Sequence, residues 1–130
     1  MMKILQPPGW AKPRGFSNGI AATGKMVFIA GQIGWTGQGQ WEAKDFPGQF
    51  KQTIKNTLAV LAEAGGRPEH IVRMTWYILD KKEYLGAIRD VGAAYRELMG
   101  KHYPAMAVVQ VSALVEDEAR LEIETTAVIP

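Results

Sequence analysis

The chain has no cysteine and only two histidines, His70 and His102. Without thiols it cannot form disulfides, use a thiolate nucleophile or bind zinc through cysteine. The two histidines lie far apart in the sequence and lack the spacing of a metal-binding pair. The residues therefore predict no metal site.

Long apolar runs and an excess of one charge are also missing. No segment approaches the roughly 20 apolar residues of a membrane span, and the N-terminal "MMKILQPPGW" lacks the apolar core of a signal peptide. The 15 basic and 13 acidic residues are interspersed and leave a net charge of +2, which does not predict nucleic-acid binding. We expect a soluble, cytoplasmic protein with neither a membrane nor a nucleic-acid partner.

The residues that are present are typical of one globular domain over residues 1–130. The chain is 47% hydrophobic and 22% charged, and 130 residues are enough to bury one core. "KMVFIAGQI" at 25–33 predicts a strand because it is apolar and β-branched and is followed by a glycine-rich loop. A short strand at 15–20 is also indicated, although Asn18-Gly19 is a turn signal.

A long helix is predicted from about Asp45 to Ala64, because apolar residues recur there every three or four positions. Asp45 is the expected N-cap, with Pro47 in the first turn. Gly65 and Gly66 end the helix.

The second half predicts one more helix and three more strands. A strand over 70–80 leads to Asp80, which with Glu83 forms the pattern of a capping box and begins a helix that Gly100 ends. Strands follow over 106–114 and 119–129, with a hairpin between them. The order β(β)αβαββ indicates an α+β fold, in which two helices cover one face of a mixed sheet.

The other face of that sheet needs a partner. Two helices cover only one face, and the strand over 25–33 is apolar at nearly every position. We therefore expect a homo-oligomer in which sheets of neighbouring copies pack together.

Six segments together resemble the RidA/YjgF family of reactive-intermediate deaminases, also named endoribonuclease L-PSP. They occur in order as "PRGFSNGI", "VFIAGQIG", "QFKQTIKNTLAVLAEAGG", "IVRMTWYILD", "YPAMAVVQVSAL" and "LEIETTAV". The resemblance implies a chorismate-mutase-like fold and a homotrimer with an internal barrel and clefts between subunits. It also implies hydrolysis of enamines and imines, such as 2-aminoacrylate, without a metal or organic cofactor.

Carried over by position, the resemblance implies a pocket near Phe16, Ala30, Gly31 and Glu122. The pocket would also include the residue that follows "PA" in the segment "YPAMAVVQVSAL". In deaminase members of the family this residue is an arginine that pairs with the substrate carboxylate. Here that residue is Met106. Loss of such a contact costs on the order of 2–4 kcal/mol, so efficient hydrolysis of a small carboxylated imine is in question.

Each site residue also has a simpler interpretation. Met106 either fills a gap in the core or forms the wall of a pocket for a less polar ligand. Arg14 either supplies the missing guanidinium or is an exposed loop arginine. Glu122, as the catalytic candidate, either orients water or is a solvated carboxylate.

Two functions remain open at this point. The chain is an enamine or imine hydrolase of atypical substrate preference, or it is a trimer that binds a small-molecule metabolite without turnover. RNA cleavage has no support, because there is no basic stripe with exposed aromatic residues.

Overall fold

The computed structural model describes residues 2–130, which form a four-stranded mixed sheet, a separate strand pair and three α-helices. The separate pair consists of β1 (Met2–Leu5) and β2 (Gly19–Ala22), which are antiparallel. The main sheet contains β3 (Lys25–Gln32), β4 (Ile71–Ile78), β5 (Ala105–Gln110) and β6 (Leu121–Ile129), and the helices are α1 (Phe46–Glu63), α2 (Lys81–Gly86) and α3 (Ile88–Met99). A short 3₁₀-helix, Pro68–His70, precedes β4.

The strand order in the main sheet is β3-β6-β4-β5. β6 is antiparallel to both of its neighbours, and β4 and β5 are parallel. Buried residues of α1 and α3 join the inward side chains of the sheet in one apolar core. The predicted α+β fold is confirmed. Within residues 2–130 no helix has the length and apolarity needed to cross a membrane.

Helix α1 begins and ends as its sequence predicts. The Asp45 carboxylate accepts a hydrogen bond from the Gly48 N–H at 3.0 Å, so it satisfies a backbone donor that has no acceptor within the helix. Phe50 and Ile54 on the inner face are fully buried. The chain leaves the helix at Gly65, whose φ of 80° favours glycine.

The sequence predicts a single helix after β4, and this prediction is wrong, because the structure has two helices that meet at Ala87. The capping box is also absent. Asp80 accepts from the Lys82 and Glu83 N–H groups, but the Glu83 carboxylate pairs with Arg120 at 2.6 Å instead of returning to the helix N-terminus. A distant cation therefore competes successfully with the local backbone donor.

Apolar residues recur every three or four positions over 85–99, which predicts one inner face, but only the part from Val91 onward packs into the core. Val91, Tyr95 and Met99 are buried, whereas Leu85 and Ile88 are each 50% exposed. The break at Ala87 separates Leu85 from this face, and Ile88, the first residue of α3, stays half-exposed.

The predicted hairpin between the last two strands is also wrong. β5 ends at Gln110, and it pairs with β4 rather than with β6. The α2–α3 crossover returns the chain parallel to β4 on the outer edge, and residues 111–120 then lead back across the sheet. Neighbouring segments in the sequence are therefore not neighbours in the sheet.

The face of the sheet opposite the helices is uncovered in a single chain. On β3, Ile29 is 4% exposed and points toward the helices, whereas Met26 and Phe28 on the other face are 58% and 73% exposed. Polar side chains of β4 and β6 share that face. The expected packing against another copy remains a prediction, and this face is where it would occur.

Two amide side chains of α1 tie the helix to distant loops. Gln49 is 2% exposed; its Nε2 donates to the Glu118 carbonyl at 3.0 Å, and its Oε1 accepts from the Arg120 N–H at 2.9 Å. Asn56 donates through Nδ2 to the carbonyls of Ile33 and Trp35. The sequence pattern gives no sign of these bonds, because polar residues on a helix normally face solvent.

Replacing Gln49 with leucine should therefore destabilise the fold markedly. Gln49→Leu leaves the Arg120 N–H and the Glu118 carbonyl without their partner, and we expect a loss of about 2–4 kcal/mol in the free energy of unfolding. Lys55→Leu, on the exposed side of the same helix, is the matched control and should change it by less than about 0.5 kcal/mol. Urea denaturation measures both, and equal effects would contradict the assigned role.

Candidate functional site

The loop before β2 is attached to the entry of β5. The Ser17 N–H donates to the Pro104 carbonyl at 3.0 Å, and the Ser17 hydroxyl donates to the Tyr103 carbonyl at 2.5 Å. Gly15 turns the chain just before this contact with a φ of 77°. The attachment brings Arg14, which is remote in sequence, to the beginning of the strand that carries Met106.

Met106 faces the helices. It pairs with Met74 across the parallel β4–β5 ladder, and paired residues project from the same side of a sheet. Met74 is fully buried in the core beneath the helices. Met106 is half-buried and packs against that core, so both interpretations of Met106 describe part of its surroundings.

Beside Met106 lies an open cavity of about 300 Å³. Its walls come from the 14–15 loop, β4, both shorter helices and β5. The lining residues are Arg14, Gly15, Trp76, Tyr84, Ile88, Val91, Gly92, Tyr95, Arg96, Tyr103 and Met106. Only two of these side chains carry a formal charge, and both are guanidiniums.

The aromatic wall of the cavity is held in place by hydrogen bonding and stacking. The rings of Tyr95 and Tyr103 are stacked with centroids 5.3 Å apart, and the Tyr95 hydroxyl donates to the His102 carbonyl at 2.5 Å. Burial raises the pKa of Tyr95 and of Tyr84. Both phenols are therefore neutral at physiological pH, and they add no negative charge to the cavity.

Ala30, Gly31 and Glu122 form a second group on β3 and β6. The register of this strand pair shifts between Ile29 and Gln32, so Ala30 and Gly31 make a β-bulge opposite β6. The Glu122 carboxylate lies directly over Gly31, where a Cβ atom would overlap its Oε2. Among residues 2–130, the Glu122 carboxylate has no hydrogen-bond or ion-pair partner.

The two groups lie on opposite faces of the sheet. Glu122 pairs with Tyr77 across the β4–β6 ladder, and Tyr77 points away from the core that Met74 and Trp76 enter. Arg14 and Met106 thus line one cavity, while Ala30, Gly31 and Glu122 lie together elsewhere. One chain does not bring the two groups into a single site.

Two more residues bear on the expected pocket: Phe16, which the resemblance implies, and Glu124, which lies two residues beyond Glu122 on β6. Phe16 is 37% exposed and adjoins the cavity without lining it. Glu124 shares the face of Glu122 but accepts a short hydrogen bond from the Tyr77 hydroxyl, which raises the pKa of that tyrosine. Glu124 is therefore already engaged, whereas Glu122 is available to a ligand.

Sequence reasoning missed the contribution of α3 to the cavity. Ile88, Gly92 and Arg96 follow one another at intervals of four residues, so they lie along one side of the helix. A glycine inside an otherwise regular helix was the available signal, since it lowers helix stability without an evident local reason.

The chain is thus an α+β protein with an open cavity beside β5 and a glutamate carboxylate over a bulge in β3. The family model described as endoribonuclease L-PSP matches residues 11–129. The chain belongs to this family, the RidA/YjgF family.

Three relatives show which members of the family the chain is similar to. A Rid-family protein of unknown function from Yersinia pestis is 30% identical, with a TM-score of 0.85 and 98% of each chain covered. TdcF of Escherichia coli, whose name proposes it as a reactive intermediate deaminase, is 32% identical over 81% of this chain and 80% of its own length. Its structure with bound serine gives a TM-score of 0.70 over 98% of this chain and 99% of TdcF.

The third relative carries the most specific name. The 2-iminobutanoate/2-iminopropanoate deaminase of Salmonella typhimurium is 31% identical over 81% of this chain and 80% of its own length.

Two glycines near the bulge should respond differently to alanine. A Cβ at Gly31 meets the movable end of Glu122, whereas a Cβ at Gly34 lies 2.6 Å from Gln49 Cβ and 2.8 Å from its Cα. We expect Gly34→Ala to lower the free energy of unfolding by about 1–3 kcal/mol and Gly31→Ala by less than about 1 kcal/mol. Urea denaturation compares them; a larger loss for Gly31→Ala would contradict the observed packing.

Proposed function

We propose that the protein hydrolyses enamine or imine intermediates to keto compounds and ammonia in clefts between copies of a homotrimer. The observation that carries this proposal is the division of the site. Arg14 and Met106 border a cavity on one face, whereas Gly31 and Glu122 lie on the other. A cleft between copies unites the two groups without any change in the fold.

The uncovered sheet face supports association of the copies. Met26 and Phe28 are largely exposed there, and large apolar side chains on an open sheet face favour burial against another surface. Relatives named as imine or reactive-intermediate deaminases support the reaction type.

The chemistry requires only water and a base. The Glu122 carboxylate holds a water molecule and accepts its proton as the water oxygen bonds to the imine carbon. Return of this proton to the nitrogen gives a carbinolamine, which carries a hydroxyl and an amino group on the same carbon. The remaining hydroxyl proton then moves to the amino nitrogen as the carbon–nitrogen bond breaks, so that ammonia leaves and the oxygen becomes the keto oxygen. The absence of a protein partner for Glu122 within the described chain leaves its oxygens available for this role.

Met106 favours the second candidate, a trimer that binds a metabolite without turnover. A thioether cannot pair with a carboxylate, so a small carboxylated imine loses its expected anchor at this position. Arg14 lines the same cavity and offers a guanidinium from another direction. The two candidates are distinguished by turnover.

Catalysis should depend on Glu122 and not on its neighbour. With imines generated in the assay by an amino-acid oxidase, Glu122→Gln should lower kcat by at least about 100-fold, because the amide cannot accept the proton of water. Glu124→Gln retains an acceptor for Tyr77 and should change kcat less than about threefold.

Keto-acid formation measures both variants. Equal losses, or no loss for Glu122→Gln, would remove Glu122 from the mechanism. Absence of any acceleration by the unaltered protein across several imines would leave the binding trimer. Light scattering at the monomer mass would contradict the proposed cleft.

Restoring an arginine should improve the handling of small substrates. Met106→Arg places a guanidinium in the cavity, and kcat/KM for 2-aminoacrylate should rise roughly 30- to 1,000-fold, the equivalent of about 2–4 kcal/mol. Met106→Gln, which is polar but uncharged, is the control and should give much less. An unchanged kcat/KM for the arginine variant would show that the carboxylate does not bind beside residue 106.

A further inference from the structure

The positive charge that Met106 lacks is supplied by other residues that line the same cavity. Arg14 and Arg96 both line it, and both are exposed. Within the part of the chain that the structure describes, neither guanidinium forms an ion pair. Two unpaired cations at one opening favour an anionic group there.

The position of Arg96 depends on the glycine one turn before it. A Cβ atom at Gly92 would lie 3.3 Å from Arg96 Nη1, which is tighter than an ordinary contact. The guanidinium therefore lies over the bare backbone of Gly92, on the cavity side of α3. A side chain at position 92 would fill this space and push the guanidinium away.

The interior of the cavity is suited to an apolar group. Its walls include Trp76, Tyr84, Tyr95 and Tyr103, and Met106 is flexible enough to adjust to different shapes. The volume of about 300 Å³ is at the lower end of the roughly 300–1,000 Å³ typical of ligand pockets. A methyl or ethyl side chain would leave most of it empty.

We infer that the cavity accepts the aromatic or long aliphatic side chain of a 2-imino or 2-keto acid, whose carboxylate binds Arg96 with help from Arg14. Turnover of such a ligand rests on the proposed function, whereas its binding in the cavity does not. Arg96 is a specificity-determining residue, and Met106 is part of the apolar wall that selects larger side chains. The arrangement places the anion at the mouth and the side chain inside.

Calorimetric titration with three stable probes tests this inference. Phenylpyruvate has both the carboxylate and the ring, pyruvate has the carboxylate alone, and phenylacetone has the ring alone. We expect phenylpyruvate to bind at least about tenfold more tightly than either of the others. Arg96→Gln should weaken phenylpyruvate binding about tenfold or more and leave phenylacetone binding unchanged.

Arg89→Gln is the matched control, because Arg89 is an exposed arginine of the same helix that does not line the cavity. It should leave all three dissociation constants unchanged. Equal affinities for pyruvate and phenylpyruvate, no binding of phenylpyruvate, or equal effects of the two arginine substitutions would each overturn the inference.

Turnover separates this inference from the proposed function. If phenylpyruvate binds through Arg96 but no imine is hydrolysed, the ligand class stands and the deaminase proposal fails. If the imine derived from alanine is hydrolysed as efficiently as the one derived from phenylalanine, the deaminase proposal stands and the inferred selectivity fails.

Discussion

The alternation of side chains along a β-strand is the constraint on which the site depends. It places Met106 beside Met74, toward the helices, and Glu122 beside Tyr77, away from them. A shift of β6 by one residue would turn the Glu122 carboxylate into the apolar core, and a shift of β5 by one residue would turn Met106 away from the helices. The same constraint explains why a single chain does not bring the two groups of site residues together, which the proposed trimer would do.

Ser17 and Gly92 allow two arginines to reach the cavity beside Met106. The bonds from Ser17 to Tyr103 and Pro104 attach the 14–15 loop to β5, and Gly92 leaves room for the Arg96 guanidinium on α3. Positive charge thus reaches the cavity from a loop and a helix rather than from the strand position occupied by Met106. Under the inferred binding mode, this arrangement keeps a site for the carboxylate and changes which ligand side chain fits beside it.

Local signals in the sequence predicted the parts of the fold that depend on neighbouring residues. Asp45 begins α1 because its carboxylate bonds to the next turn, and the spacing of apolar residues along the helix predicts the inner face on which Phe50 and Ile54 are buried. Long-range contacts could not be predicted in this way. Arg120 draws Glu83 away from the expected capping box, and the insertion of β4 between the last two strands removes the expected hairpin. The resemblance pointed to Glu122 and Met106, whereas Arg96 emerged only from the packing of α3.

Subunit mixing tests most directly whether two copies form each active cleft. Glu122→Gln damages one half, and Gly92→Phe fills the cavity of the other, so each variant alone should be inactive. Mixed at equal amounts and reassembled, random trimers should recover about one quarter of the unaltered activity, because about one cleft in four joins two intact halves. If the mixture remains as inactive as its components while the mixed trimers form, the site belongs to one chain and the account is wrong.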